Sequence, residues 1–321
     1  MAKIAITGGA GFIAFHAAKK FKSEGHEVIG FDNYNDYYDP SLKKDRARTL
    51  LKEDDIFIDR GDLMDSDFLE EFMNRNKPDI VLHLAAYAGV RHSLKEPDKY
   101  IHNNVVGTHN LINACHQACV NKIIYASTSC VMAGNKLPWN EDEKLGYQLN
   151  PYGYTKATNE SQFMAGPLPV AVGLRFFTVY GPWGRPDMAL YDFTNNILKD
   201  NPIDLFNYGD MVRDFTYVSD IVDGINIIIN EGLNKKELKE IYNIGRGEQV
   251  RLVDFVEHIE KNLGRKAERN LVPKHPADTK ETWSDTTKLQ KLGYNPKISI
   301  AEGVENFISW YKLYYKVNWW E

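Results

Sequence analysis

The chain has 321 residues, 43% hydrophobic and 26% charged, long enough to bury one large core or two smaller ones. Its formal net charge of -5 is too mild to mark a partner of nucleic acid or of an anionic membrane, so any phosphate it binds must be met by a few placed residues. Three cysteines (Cys115, Cys119, Cys130) without a CxxC or a Cys/His cluster suggest neither a disulfide framework nor a metal site.

The opening Lys3-Ile4-Ala5-Ile6-Thr7 is too short an apolar stretch for a signal peptide, and no later run approaches the ~18 residues of a membrane span. A cytoplasmic protein with no membrane partner is expected. Strands are expected at Ile4-Ala5-Ile6, Glu27 to Phe31, Ile56-Phe57-Ile58, Asp79 to Leu84, Lys122 to Ala126 and Pro169 to Leu174. Between them, Phe68 to Asn76 and Asn103 to Ala118 carry apolar residues at helical spacing. Such alternation implies a doubly wound, Rossmann-like α/β fold, a parallel sheet covered by helices on both faces.

After Arg175 the rhythm changes. A Gly/Pro-rich loop (Tyr180 to Asp187) leads to a helix from Met188 to Lys199 and extended pieces at Ile203 to Phe206 and Arg213 to Tyr217. A helix from Val218 to Asn230 can return to the first layer, followed by an amphipathic Leu252 to Leu263, an extended Arg269 to Val272 and a terminal helix from Ile300 to Tyr315. This reads as a nucleotide-binding domain with a smaller, discontinuous α/β substrate domain.

Directly after the first strand stand Thr7-Gly8-Gly9-Ala10-Gly11-Phe12-Ile13-Ala14, with Gly8 and Gly11 at the turn where backbone approaches a pyrophosphate. The following helix N-terminus offers unpaired N–H groups and a favourable dipole. Glycines alone prove little, since many tight turns need them. Here a strand precedes, a helix follows, and Asp32 closes the next strand about 20 residues on, where a carboxylate binds ribose hydroxyls. Asp32 would otherwise be a strand-end turn residue. A carboxylate there repels a 2′-phosphate, so NAD is expected rather than NADP. Ala14 fills the third small-residue position, an accepted alternative to glycine.

Ala126-Ser127-Thr128-Ser129 closes the fifth strand, and Tyr152-Gly153-Tyr154-Thr155-Lys156 begins a later helix. Tyr152 and Lys156, spaced i,i+4, share one helical face. Alone, such a pair is commonplace on exposed helices. After a hydroxyl-rich strand end and a dinucleotide fingerprint it suggests a base, because an ammonium and a cationic nicotinamide both favour the phenolate. Thr128 can hydrogen-bond the same reacting oxygen.

Nearly the whole length then resembles the extended short-chain dehydrogenase/reductase superfamily and, within it, the UDP-glucuronate 4-epimerases of the NAD-dependent epimerase/dehydratase group. The resemblance runs through Thr7 to Phe12, Asn33-Tyr34-Asn35-Asp36-Tyr37-Tyr38, Gly61-Asp62-Leu63, His83-Leu84-Ala85-Ala86, Ala88-Gly89-Val90-Arg91, Tyr152 to Lys156 and Leu174 to Met188. The last of these, the most specific, points to the uronate branch.

The resemblance implies an isomerase that interconverts UDP-glucuronate and UDP-galacturonate through a 4-keto sugar, with bound NAD, a UDP-sugar partner and a homodimeric state. It implies Tyr152 as base, Thr128 as its hydroxyl partner and Lys156 as the ribose-binding cation. Cofactor contacts are implied at Gly8, Gly11, Phe12, Ile13, Asp32, Asn33, Asp62, Leu63, Leu84, Ala85, Ala86 and Asn104, besides Tyr152 and Lys156. Substrate contacts are implied at Arg91, Thr128, Ser129, Thr178, Arg185, Phe206, Arg213 and Asp278. Arg185 and Arg213 would meet the UDP phosphates and Thr178 the sugar carboxylate. Either arginine could instead join a surface ion pair with Asp210 or Asp214, and Thr178 could bond its own loop backbone. Residues 1–175 with about 217–238 would form the NAD-binding domain, and about 176–216 with 239–321 the UDP-sugar domain.

The chain departs from the family pattern where Cys130 and Met132-Ala133 replace a serine and a Tyr-Gly pair, and where Ser161 to Val172 is about three residues short. A 4,6-dehydratase would need an Asp-Glu pair after Thr128, and a UDP-glucuronate decarboxylase usually has glutamate in place of Cys130, so both lose ground. A 4-epimerase of another UDP-sugar such as UDP-glucose, the UDP-glucuronate decarboxylase and a non-catalytic NAD-binding protein remain as alternatives.

Overall fold

The computed structural model describes residues 1–317. Thirteen strands follow in chain order: β1 (Lys3–Thr7), β2 (Glu27–Asp32), β3 (Ile58–Arg60), β4 (Ile80–His83), β5 (Lys122–Thr128), β6 (Val170–Phe176), β7 (Thr178–Tyr180), β8 (Ile203–Phe206), β9 (Val212–Arg213), β10 (Phe215–Tyr217), β11 (Leu238–Ile244), β12 (Val250–Arg251) and β13 (Arg269–Val272). Seven form one parallel sheet in the order β11-β6-β5-β4-β1-β2-β3. Ile4, Ala5 and Ile6 are all fully buried, as expected of a parallel strand covered on both faces. Alternation sends Ile4 and Ile6 into one apolar cluster and Ala5 into the other.

On the first face the helix Phe12–Ser23 packs against Val218–Asn234; on the second, Ser66–Asn76 packs against Gly107–Gln117. The strand order reverses between β1 and β4, where Thr7 pairs with His83. In open α/β sheets the crevice beyond the carboxyl ends at such a reversal is where ligands sit. The remaining strands pair two by two, β7 with β10, β9 with β12 and β8 with β13, and pack with helices Ala189–Leu198, Leu252–Leu263 and Ile300–Tyr315 beyond that crevice.

Some expectations are corrected. The third strand begins only at Ile58: Ile56 is buried but unpaired, and Phe57 points to solvent. The stretch from Asn103 to Ala118 is not one α-helix, because Ile101–Val106 is wound as a π-helix before the α-helix starts at Gly107. β5 and β6 each run two residues further than expected, to Thr128 and Phe176. β11 was not anticipated, and it carries the main sheet past the domain boundary drawn near residue 238.

Candidate active site

The glycine turn is built for close approach. Gly8 has φ +68°, and a Cβ there would stand 2.9 Å from the Ala85 backbone. Gly11 donates to the Gly8 carbonyl (2.8 Å) and caps the helix Phe12–Ser23 without any side-chain acceptor, leaving its first N–H groups free for an anion. The Thr7 hydroxyl accepts from Ala85 N (3.1 Å) and meets His83 Nδ1 (2.7 Å), locking β1 to the loop after β4. Leu84 N donates to the Thr7 carbonyl (3.2 Å) in the same lock.

Asp32 lies at the end of β2 with its carboxylate fixed by Ala10 N (3.1 Å) and Tyr34 N (2.8 Å). Burial raises its pKa, and the positive charge of Lys43 opposes that rise. Asn33 donates to Asp62 (2.9 Å), so these two residues form one wall beside Asp32. Leu63 has its side chain in the core, leaving only backbone for a ligand. Asn104 is already committed: it bonds both polar backbone atoms of Tyr87 (2.9 and 3.0 Å) and the Thr155 hydroxyl (3.1 Å). It shapes the wall rather than projecting from it. Together the glycine cradle, the uncapped helix and the strand-end carboxylate fit a dinucleotide with free ribose hydroxyls.

Thr128 closes β5, and Ser129 opens the turn Ser129–Met132. Both side chains are buried, and the Thr128 hydroxyl accepts from Cys130 N (3.2 Å). Tyr152 and Lys156 occupy the first turns of the helix Pro151–Ala165, which starts sharply because Asn150 caps Gly153 N (2.8 Å) and Pro151 needs no donor partner. Burial holds the Tyr152 phenol well above its usual value; a hydrogen bond with Thr128 and the charge of Arg185 pull it back. Lys156 is 2% exposed and hydrogen-bonds nothing among the described residues. Burial brings its ammonium down to about 8, against the pull of Glu160.

A second cluster gathers four distant segments. Arg91 donates twice to Asp278 (3.2 and 2.7 Å) and lies flat over the Phe206 ring at 3.5 Å. Arg213, whose guanidinium bonds the carbonyls of Val212 and Lys280 (2.9 Å each), feels the charges of both Asp278 and Arg91. Arg185 does not join them. It grips Asp187 with two bonds, reaches the Ala88 carbonyl (3.1 Å), and acts electrostatically on Tyr152. Neither arginine pairs with Asp210 or Asp214: Lys280 takes Asp210 (2.9 Å), and Asp214 is wrapped by Ser284, Arg246 N and Gly247 N. Thr178 opens β7 with its N–H on the Asp214 carbonyl (3.0 Å), and its hydroxyl has no partner among the described residues.

Comparison with known proteins decides the family. A profile of the NAD dependent epimerase/dehydratase family matches residues 4–245. The chain belongs to that family. It is 41% identical to Protein CapI of Staphylococcus aureus over 98% of this chain and 99% of that one. It is 37% identical to a probable UDP-glucuronate 4-epimerase of Rhizobium meliloti over 97% of each. The crystal structure of a UDP-glucuronic acid 4-epimerase from Bacillus cereus, with UDP-glucuronic acid and NAD, superposes with a TM-score of 0.90 at 34% identity, covering 98% of this chain and all of that one.

Within this family member, several groups around the site escaped sequence reasoning. Arg46 is fully buried and ties the Ala10 carbonyl (3.1 Å) to that of Trp183 (2.6 Å), bracing the glycine turn against the loop after β7. The run Leu42-Lys43-Lys44-Asp45-Arg46 was the available signal, but a basic helix ordinarily faces water. Cys130, noted only as a departure, lies within electrostatic reach of Tyr152, Arg213 and Asp278. Among the described residues no His/Cys/Asp/Glu group could hold a metal, and no helix is long and apolar enough to cross a membrane.

Proposed function

We propose that the protein interconverts UDP-glucuronate and UDP-galacturonate at C4, with Tyr152 as the base. The supporting observation is the convergence of Thr128, Tyr152 and Lys156 at the carboxyl edge of the sheet, with only β4 between β5 and the strand of the glycine cradle, in a chain of this family. Bound NAD supplies the acceptor, and then the donor, for the hydride at C4.

The Tyr152 oxygen takes the proton of the 4-hydroxyl and returns it after the keto sugar has turned over. Thr128 orients that hydroxyl. Lys156 holds the nicotinamide ribose, and its ammonium, with the Arg185 guanidinium, favours the phenolate that burial otherwise opposes. Gly8, Gly11 and the amides of Phe12 and Ile13 receive the pyrophosphate; Asp32 receives the adenosine ribose. Asn33, Asp62, Leu63 and the backbone from Leu84 to Ala86 line the rest.

At the other end, Phe206 offers a face to the uracil while Arg91 and Arg213 meet the diphosphate, with Asp278 holding Arg91 in place. Ser129 and Thr178 hold the C6 carboxylate. The substrate lobe comprises about 176–216 and the chain after β11, the dinucleotide lobe the remainder. A homodimer is supported by Ile101, Val106 and Met164, exposed on the adjoining helical segments Ile101–Val106 and Pro151–Ala165. The protein works in the cytoplasm. The deciding experiment is NMR of purified protein incubated separately with UDP-glucuronate and UDP-glucose. Formation of UDP-galacturonate is expected; turnover of UDP-glucose alone, or of neither sugar, overturns the reading.

A further inference from the structure

Beneath the Tyr-Lys site lies a buried charge network that the reaction itself does not use. Glu160 follows Lys156 by one helical turn, and its carboxylate accepts from Arg175 Nε (2.9 Å), from the second guanidinium nitrogen of Arg175 (2.8 Å) and from the Ser127 hydroxyl (2.5 Å). All three side chains are more than nine-tenths buried. Such a pair is costly to desolvate, and apolar residues of the same volume often serve stability as well. Its presence between β5, β6 and the catalytic helix calls for another role. The remaining guanidinium nitrogen of Arg175 meets only the Met132 sulfur (3.0 Å), a weak acceptor. The Arg175 charge is therefore answered almost wholly by Glu160.

We propose that Glu160, held by Arg175 and Ser127, is a positioning residue for Lys156 that keeps the buried ammonium charged without a direct hydrogen bond. A carboxylate bonded to Lys156 would take at least one of the three donors that its ammonium can offer a ribose. A carboxylate one turn away favours the charge while leaving those donors free, and Arg175 stops Glu160 from picking up a proton or swinging toward the amine. The other titratable groups near Lys156 are neutral. Burial holds His83, on β4, uncharged at about 3, and raises the pKa of Tyr125 on β5, of Cys130 in the following turn, and of Tyr152 on the same helix. Glu160 is thus the one anion that acts on Lys156 among the described residues.

The proposal rests on Lys156 serving the Tyr-Lys site, so its test measures Lys156 itself. In the purified holoenzyme, isotope-edited NMR of lysine side chains, with Lys156 assigned by the Lys156→Met variant, gives its titration midpoint. Glu160→Gln should lower that midpoint by about one pH unit or more, and Arg175→Gln, which lets Glu160 take up a proton, should lower it too. The alkaline limb of kcat should move with the midpoint in each, roughly tenfold in rate per unit at a pH above it. Glu160→Asp should restore the midpoint even if kcat stays low. If the buried variants fail to fold, the milder Ser127→Ala decides: a carboxylate with one donor fewer is held less firmly as an anion, so the Lys156 midpoint falls. A midpoint that stays fixed in Glu160→Gln, or in Ser127→Ala where only that variant folds, overturns the proposal, whatever happens to thermal stability. Absence of UDP-glucuronate turnover in the unsubstituted enzyme, with the predicted midpoint shifts intact, would instead count against the epimerase reading alone.

Discussion

The Tyr37 hydroxyl donates to the Asp187 carboxylate across 3.0 Å, joining the loop after β2 to the loop after β7, 150 residues later. Asp187 in turn carries Arg185, whose charge reaches Tyr152. The residue that holds Arg185 is itself held by the segment that follows Asp32. Tyr37→Phe should leave the fold intact but loosen Asp187 and, with it, Arg185. Because the Tyr37–Asp187 bond lies in solvent, about a three- to tenfold fall in kcat is expected with KM for the UDP-sugar little changed, and steady-state kinetics would reveal it.

Asp32 is proposed to govern cofactor choice. Its oxygens are steered by Ala10 N and Tyr34 N, and a carboxylate beside the adenosine ribose would repel a 2′-phosphate. Nucleotide released on denaturation should be NAD by mass spectrometry, and recovery of mainly NADP would sink this assignment. Asp32→Ala should weaken NAD binding by about tenfold or more, the value of a hydrogen bond to a charged group. It should also narrow the preference over NADP, since Lys43 stays nearby.

Tyr152→Phe removes the ionisable oxygen and keeps the ring. Turnover should fall about 10²- to 10⁴-fold while the affinity for UDP-glucuronate, measured by calorimetry, hardly changes. Near-normal turnover would mean that another group is the base.

Oxidation at C4 places a ketone β to the C6 carboxylate, an arrangement that readily loses carbon dioxide, so the carboxylate must be held with its breaking bond out of line with the ketone. The Thr178 hydroxyl has no other partner among the described residues. Thr178→Ala should weaken UDP-glucuronate binding by about tenfold and raise the share of a decarboxylated 4-keto pentose. Unchanged affinity with no extra carbon dioxide would remove Thr178 from that role.

Activity and stability should part company with pH. Lys156 titrates at about 8 in the fold against 10.5 when unburied. Between those values the unfolded chain holds a proton that the folded chain lacks, so this group adds stability as pH rises while kcat declines with the lost ammonium. At the acid end, burial brings His16 from 6.5 down to about 4. Its contribution is present above 6.5 and lost as pH falls toward 4. His16→Gln should flatten the acid slope of Tm, and an unchanged slope would place acid sensitivity elsewhere.

Most of the first half of the chain was legible because its strands are short apolar runs followed by helices; β3, Ile58-Asp59-Arg60, is not such a run and was misplaced. β11 was not: Leu238, Lys239 and Glu240 are only partly buried at the sheet edge, and their mixed polarity conceals a strand that pairs only with β6. The settings of Gly8, Asp32, Tyr152 and Lys156 were legible because each depends on local spacing: a tight turn, a strand end and one helical face. The partners of Arg185 and Asn104 were not legible. No pattern in one sequence reveals that Asp187, two residues on, claims the first, or that Tyr87 and Thr155 absorb the second. Glu160 was invisible for the same reason, since its partners Ser127 and Arg175 lie on two different strands.

The late entry of β11 into the main sheet constrains how this protein can be divided. Residues 178–217, which lie outside that sheet, fall between β6 and its neighbour β11, so no single cut of the chain yields an intact dinucleotide half. A fragment ending before Leu238 would strip β6 of its partner along seven paired residues and expose a strand that is buried throughout its length. A bare, flat, apolar edge of that kind recruits other chains. Truncations designed to isolate the nucleotide-binding region should therefore aggregate unless they extend through Ile244, and a transplanted cassette must carry the intervening segment or a linker in its place.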